Sequence, residues 1–185
     1  SHRWHLPVKH PSITAAPAAS TVSAHVAHLA AEAVADFAAP VTCVEPSPAG
    51  GVIVGAEDGT VTALDAEAAV IWQIRVEGSV HDLSAPGGAG PMVLVGCGPD
   101  GLVALDEGGG HLWQRTVVRE PSPWPWWESV TPAAVQVAGG VFAGEMLFAV
   151  GCGDIQVRLY DAAGAERWMW RYNEGVPGRV CVADV

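Results

Sequence analysis

Positive charge is what this chain has least of. Its 185 residues include one lysine, Lys9, and the nine lysines and arginines stand against twenty aspartates and glutamates, for a formal net charge of −11. Nucleic acids and anionic membranes attract proteins through a positively charged face, so neither is expected as a partner. No apolar run is long enough to span a bilayer. The first residues also lack the basic-then-apolar pattern of a secretion signal.

The common metal and redox motifs of cysteine are absent from the sequence. The chain has four cysteines, and none is arranged as Cys-x-x-Cys. We interpret them as small buried thiols, because a free cysteine packs much as a small apolar residue does. Disulfides remain an open alternative, and no metal site is predicted. The four residues are Cys43, Cys97, Cys152 and Cys181.

A sequence pattern that occurs three times is the main positive feature. Each copy contains an apolar run ending in glycine, a turn, a second run ending in aspartate, and a tryptophan. The glycines and the tryptophans are each offset by 41 and then by 55 residues. The copies are therefore in register, with 14 extra residues between the second tryptophan and the third glycine. Such a period indicates a repeat architecture. The landmarks are Gly55, Gly96 and Gly151, with Trp72, Trp113 and Trp168.

Within each copy, short apolar runs alternate with turn signals, which is typical of β-structure. Asp58-Gly59 and Asp100-Gly101 favour hairpin turns, because glycine accepts a positive φ. We predict four antiparallel strands per copy. They cover residues 41–44, 52–55, 60–65 and 70–76, then 80–84, 92–96, 102–106 and 111–117, then 133–137, 146–151, 155–160 and 166–172.

Four antiparallel strands in about 40 residues make one blade of a β-propeller. The predicted fold is therefore all-β, a partial propeller of about three blades at residues 41–79, 80–131 and 132–178, followed by the first strand of a next blade. Residues 1–40 are expected to hold the end of a preceding blade and an insertion with one short helix at residues 23–37. Three blades are too few for a ring, so we expect a piece of a larger propeller, or a protomer that completes a ring by self-association of unpaired blade edges.

The residues also resemble a known family. Gly-x-x-Asp-Gly, then Ala-Leu-Asp, then a closing tryptophan, is similar to the repeat of quinoprotein-like (PQQ-like) propellers. Residues 179–185 are similar to FG-GAP-type propellers, in which an inner strand leads into an Asp-rich calcium loop. The resemblance implies architecture more than activity, because this repeat serves enzymes, assembly factors and sugar-binding modules. No cofactor is predicted for this chain, and calcium or PQQ is expected only in a longer parent chain. An extracytoplasmic location, periplasmic or secreted, is expected.

The tryptophans fall into two groups. Those of the repeat are expected to pack between neighbouring blades. A second group belongs to no repeat position and is interleaved with prolines, which prevent regular strand pairing. A loop this aromatic needs either a hydrophobic shelter within the protein or a ligand. The second group is Trp124, Trp126 and Trp127.

Propeller topology predicts which face this loop shares. The connection from one blade to the next lies at the same end as the turns between second and third strands, where several carboxylates lie. Indole rings beside carboxylates suit a sugar, or a cationic peptide through cation–π contacts. The alternative is that the loop folds over the blade edge and buries its own tryptophans. The carboxylates of this predicted ligand-binding site are Glu57, Asp58, Asp100, Glu128 and Asp154.

No catalytic constellation stands out, and no catalytic residue is assigned. Asp58 and Asp100 could form an acid/base pair, but hairpin turns favour aspartate for its local hydrogen bonds. The first hypothesis is a non-catalytic propeller module that recognises a carbohydrate or a protein, as part of a larger protein. The alternatives are a fragment of a quinoprotein dehydrogenase or carbohydrate-active enzyme, and a purely structural scaffold.

Overall fold

The computed structural model describes residues 35–87, 92–117, 133–171 and 179–182. All of them belong to one structural unit, Ala33–Val185. These ranges contain twelve β-strands and no helix. The strands are β1 (Val41–Pro46), β2 (Val52–Ala56), β3 (Thr60–Leu64), β4 (Val70–Arg75), β5 (Asp82–Ser84), β6 (Met92–Gly96), β7 (Leu102–Asp106), β8 (His111–Arg115), β9 (Ala134–Phe142), β10 (Glu145–Cys152), β11 (Gln156–Asp161) and β12 (Glu166–Arg171).

The strands form three four-stranded antiparallel sheets in which sequence neighbours pair. Their orders are β1-β2-β3-β4, β5-β6-β7-β8 and β9-β10-β11-β12. The fold is therefore a partial β-propeller of three blades, and the predicted fold class is confirmed. We call the sheets the first, second and third blade.

Burial along the strands follows from this stacking. Successive side chains of a strand point to opposite faces of its sheet, so a strand covered on both faces needs apolar residues at every position. In β7 the first four residues are all buried, because the second blade lies between the other two. In β8, by contrast, only Trp113 is buried. The outer strand of a blade is thus mostly exposed.

Two hydrophobic cores lie between the blades. Leu94 and Val95 are adjacent in β6, and they enter different cores because they point to opposite faces. Val95 packs in the core shared with the first blade, which contains Val61. Leu94 packs in the core shared with the third blade, which contains Phe148 and Val150. The second blade therefore holds the three sheets together.

The first strands of the blades lie side by side, with β5 between β1 and β9. Side chains of one first strand cap backbone N–H groups of the next. The Ala85 N–H donates to Glu45 (3.4 Å), and the Gly139 N–H donates to the Ser84 hydroxyl (2.8 Å). Glu45 and Ser84 hold equivalent registers, opposite Ile53 and Leu94. These bonds satisfy donors that a strand edge would otherwise leave open.

Trp72 connects the first blade to the second. Its indole N–H donates to the Glu107 carbonyl at 2.8 Å. Its ring lies on Gly109, so closely that a Cβ there would be 2.9 Å from the ring atoms. Glu107 and Gly109 belong to the β7–β8 turn. The outer turn of one blade thus needs glycine because the tryptophan of the preceding blade occupies the space of a side chain.

Trp113 repeats this arrangement between the second and third blades. Its indole N–H donates to the Ala162 carbonyl at 2.9 Å, and a Cβ at Gly164 would be 2.7 Å from its ring. Arg115 lies over the ring, 5.6 Å from its centroid. The same guanidinium donates to the Gly164 carbonyl at 2.8 Å. One tryptophan and one arginine therefore hold the β11–β12 turn.

The predicted strands are confirmed, with shifts at their ends. The largest shift is β9, which continues to Phe142 rather than ending at residue 137, because it pairs with β10 along a longer hairpin. Most of the insertion lies before β9: the chain takes 23 residues from Trp113 to Gln136, where the preceding blade takes 10 from Trp72 to Asp82.

Several predictions concern residues outside the ranges that the structure describes. The strand of a preceding blade lies there, as does the predicted helix up to residue 34, whereas residues 35–37 are described and non-helical. Residues 179–182 have no strand assignment. They nevertheless lie beside β9, since a Cβ at Gly140 would be 2.9 Å from the Val182 carbonyl oxygen.

The docking of Trp113 predicts that Gly164→Ala is more destabilising than Gly144→Ala. Both glycines have positive φ, at 74° and 83°, so both substitutions incur about 1 kcal/mol of backbone strain. Only at Gly164 would the new Cβ meet a ring, whereas nothing lies within 4 Å of it at Gly144. We expect an additional loss of about 1–3 kcal/mol for Gly164→Ala. Urea unfolding followed by circular dichroism measures both, and equal losses would contradict the docking.

Candidate functional site

The turns between second and third strands lie at one end of the blades, which we call the turn face. It comprises residues 57–59, 98–101 and 153–155. The connection from β4 to β5 joins this end, because the Val76 N–H donates to the Gly59 carbonyl (2.9 Å) and the Val80 N–H to the Ala56 carbonyl (3.2 Å). This inter-blade connection therefore lies at the same end as the turns between second and third strands, as predicted from the sequence.

A cleft of about 630 Å³ opens on this face. Asp100, from the next blade's turn, reaches it, since its carboxylate lies in the space that a Cβ on Gly78 would occupy. The structure thus brings Glu57, Asp58 and Asp100 together, and adds Glu77, which sequence reasoning missed. Glu77 lies in the connection between β4 and β5, and that position could have indicated from the sequence that it belongs to the turn face. The cleft is lined by Glu57, Asp58, Arg75, Val76, Glu77, Gly78 and Ser79.

Asp58 is held by its own turn. The Thr60 N–H donates to its carboxylate at 3.1 Å, and hydrogen bonds from Thr60 lower the pKa of Asp58 below its ordinary value. Gly59 and Gly101 follow the turn aspartates with φ of 87° and 97°, as the hairpin prediction requires. The Asp58 carboxylate is therefore charged at neutral pH and fixed in direction.

Asp154 occupies the equivalent turn of the third blade, but its environment differs. Its side chain is fully buried and lies 3.8 Å from the Arg158 guanidinium. Arg158 in turn donates to Gln156 at 2.6 Å and to Glu166 at 2.9 Å. Asp154 thus belongs to a buried charged network and does not join Asp58 and Asp100 at the cleft. The polar residues Gln156 and Arg158, alternating in β11, were the sequence signal for this network.

The loop predicted to share the turn face lies outside the described residues. Trp124, Trp126, Trp127 and Glu128 fall between β8, which ends at Arg115, and β9. Their part in a binding site stays a prediction, as does that of the cleft carboxylates.

The repeat glycines lie where the next blade approaches. A Cβ on Gly55 would be 2.7 Å from the Cys43 sulfur, and it would also overlap Val80 at the start of the second blade. A Cβ on Gly96 would be 3.1 Å from the Ala134 carbonyl of β9. Gly151 pairs with Gln136 in the third blade. Glycine at the first two positions lets neighbouring blades come close.

A second, polar cleft of about 480 Å³ lies along the first strands. It was not found from the sequence, because its lining comes from three blades. Asp82 accepts the Val137 N–H there at 2.9 Å. The described lining contains carboxylates and the Arg179 guanidinium but no Phe, Tyr or Trp ring. It consists of Glu45, His81, Asp82, Leu83, Ser84, Val135, Gln136, Val137, Ala138, Gly139, Arg179, Val180 and Cys181.

All four cysteines are free thiols. Cys97 and Cys152 occupy equivalent places, and burial raises the pKa of each to about 12. Burial also raises the pKa of the half-buried Cys43. Cys181 is exposed.

Two further observations concern the described ranges alone. No group of three or more His, Cys, Asp and Glu side chains there is placed to hold a metal ion. Within the same ranges, no helix has the length and apolarity needed to cross a membrane.

Comparison with known proteins supports the fold. No protein-family model and no curated protein matches the chain. Among solved structures, the WD40 repeats of RRP9 superpose with a TM-score of 0.64 at 11% identity, over 80% of this chain and 43% of that one. BamB from Moraxella catarrhalis, a PQQ-like β-propeller, gives 0.54 at 20% identity, over 72% and 38%.

Sqt1 from Saccharomyces cerevisiae gives a TM-score of 0.58 at 18% identity, over 71% of this chain and 37% of that one. This chain therefore spans less than half the length of each of these proteins. Identities this low show a shared β-propeller repeat fold, and they do not distinguish a PQQ-like from an FG-GAP-type repeat.

The thiol environments predict selective labelling. With N-ethylmaleimide at about pH 8, near the ordinary thiol pKa, Cys181 should react fast in the native protein. Cys97 and Cys152 should stay unlabelled, because burial excludes the reagent and keeps them protonated. Peptide mapping by mass spectrometry reads out each site, and the denatured protein, labelled at all four, is the control. Native labelling of Cys97 or Cys152 would contradict the burial.

Proposed function

We propose that this chain is a non-catalytic β-propeller module for protein interaction, and that its turn face binds a basic segment of a partner protein. The observation that carries the proposal is the convergence of Glu57, Asp58, Glu77 and Asp100 on one cleft. These side chains come from two blades and an inter-blade connection, so only the assembled propeller presents them together.

Electrostatics favours a cationic ligand. The net charge of −11 draws positively charged partners toward the protein. At the cleft four carboxylates outnumber the one guanidinium, that of Arg75, so the attraction for a cation persists there. Each exposed pair contributes only about 0.2–1 kcal/mol. Several such pairs in one cleft give a modest affinity that falls as salt is added.

The solved structures of similar fold are consistent with this class of function. One is described as WD40 repeats, and another is BamB, and such neighbours suggest a module that contacts other proteins. The proposed partner class, a basic protein segment, rests on the cleft, because the similarity to these solved structures establishes only the fold.

The cleft can be tested by neutralising it. We expect the triple variant Glu57→Gln, Asp58→Asn, Asp100→Asn to bind a fluorescent peptide of alternating arginine and serine about tenfold more weakly, since three pairs of about 0.5 kcal/mol are removed. Asn at position 58 keeps the oxygen that accepts the Thr60 N–H. Fluorescence anisotropy at low and high salt measures the binding.

The matched control removes three carboxylates at the opposite end of the blades. Glu67→Gln, Glu107→Gln and Glu145→Gln change the net charge equally at exposed positions, two in outer turns and one at the start of β10. They should leave the affinity within about twofold. If both triple variants lost affinity for the peptide equally, net charge alone would explain the effect. If the wild-type protein did not bind the peptide, the proposal would be refuted.

Carbohydrate recognition is the second ligand class, and the Trp124 to Glu128 loop is the reason to test it. Trp126→Ala and Trp127→Ala should preserve the β-sheet circular dichroism. If sugars stack on the loop, both variants should weaken binding to an oligosaccharide panel, read out by tryptophan fluorescence. A wild-type protein without any saccharide response would eliminate this ligand class, and unfolding of both variants would place the rings in the core.

A further inference from the structure

The third blade carries two exposed tryptophans on its outer strand. Trp168 is 51% exposed and Trp170 is 55% exposed, although Trp168 is the repeat tryptophan. Its counterpart Trp113 is 9% exposed. The rings of Trp168 and Trp170 stack with centroids 6.1 Å apart and planes inclined by 17°. Two adjacent exposed indoles form a surface that water solvates poorly.

These rings belong to an apolar face of the third blade. Strand pairing places Trp168 opposite Leu159 and Trp170 opposite Val157, and cross-strand partners share one face of a sheet. The corresponding face of the second blade carries Trp113 and is buried in an inter-blade core. The open face of the third blade is thus half of such a core.

We propose that Trp168 and Trp170 form a docking site for the outer turn of a further propeller blade, one that carries the sequence Asp-x-x-Gly. The inter-blade contact already occurs twice in this chain with the same geometry. In both, the ring lies on the glycine and the indole N–H donates to the carbonyl two residues earlier. The site on the third blade continues that established interface.

Trp170 takes the place that Arg115 holds one blade earlier. Arg115 lies over the docked tryptophan and donates to the Gly164 carbonyl at 2.8 Å. Trp170 stacks on Trp168 in the same way and also carries one N–H donor. The site therefore offers two indole donors to turn carbonyls, and the stacked rings replace the cation–π pair.

A second copy of this chain does not fit the site. Its first blade would present the turn of residues 65–69, where Ala68 stands in the position of Gly109 and Gly164. Ala68 has a φ of 63°, so its backbone matches the glycines, but its Cβ would lie where a Cβ meets the docked ring at 2.7–2.9 Å. The other two outer turns are already occupied by Trp72 and Trp113. The occupant is therefore a different blade with glycine at this position.

The test uses the full chain and a cyclised hairpin peptide with the sequence of residues 157–167, which carries the Asp-x-x-Gly turn and no tryptophan. The indole N–H signals of the ¹⁵N-labelled protein are recorded by NMR, and Trp168→Phe identifies the Trp168 signal by its absence. We expect that signal to shift in a saturable way, while the signals of covered tryptophans stay in place. The same peptide with Gly164→Ala should bind at least about tenfold more weakly.

Three outcomes would overturn the proposal. One is no shift of the Trp168 signal, and another is an equal response to the glycine and alanine peptides. The third is a Trp168 signal that shifts with protein concentration alone, with a doubled mass by light scattering, which would make a second copy the occupant. Trp168→Phe retains a ring but no N–H, so its peptide affinity should fall by about two- to tenfold if the turn carbonyl accepts that proton.

Discussion

The contact of a tryptophan with the glycine turn of the next blade is the constraint on which the rest of the structure depends. It combines burial of a large ring with a directed hydrogen bond, so it fixes both the distance and the angle between blades. Glycine at the turn is required because the ring occupies the space of a side chain. With this contact at Trp72 and Trp113, the two inter-blade cores close, and β7 becomes buried on both faces.

The same stacking arranges the polar groups. Once the blades are at their fixed spacing, Glu45 and Ser84 reach the N–H groups of the neighbouring first strand. At the turn face, Asp100 comes over Gly78 and joins the acids of the first blade. The cleft is therefore a product of two blades together, which is why the binding of a partner there would depend on an intact propeller.

The blades differ in ways that matter for function. Three turns carry aspartate at equivalent places, yet Asp58 and Asp100 lie at the cleft while Asp154 is buried beside Arg158. Three outer strands carry tryptophan, yet Trp168 alone among these three is largely exposed. Repetition thus supplies the scaffold, and departures from it mark the surfaces where the protein can meet others.

The sequence by itself determined the three blades, their twelve strands and the hairpin turns, because a period of 41 residues, alternating apolar runs and Asp-Gly turns are local patterns. Only the tertiary structure decided which acids gather, which aspartate is buried and which tryptophan is covered. Asp58, Asp100 and Asp154 all lie in turns between second and third strands, and Trp113 and Trp168 hold the same repeat position. Asp154 has a local partner, since Arg158 lies only four positions away. The cover over a repeat tryptophan comes from the next blade, through contacts that join residues more than 30 positions apart, beyond the reach of any local pattern.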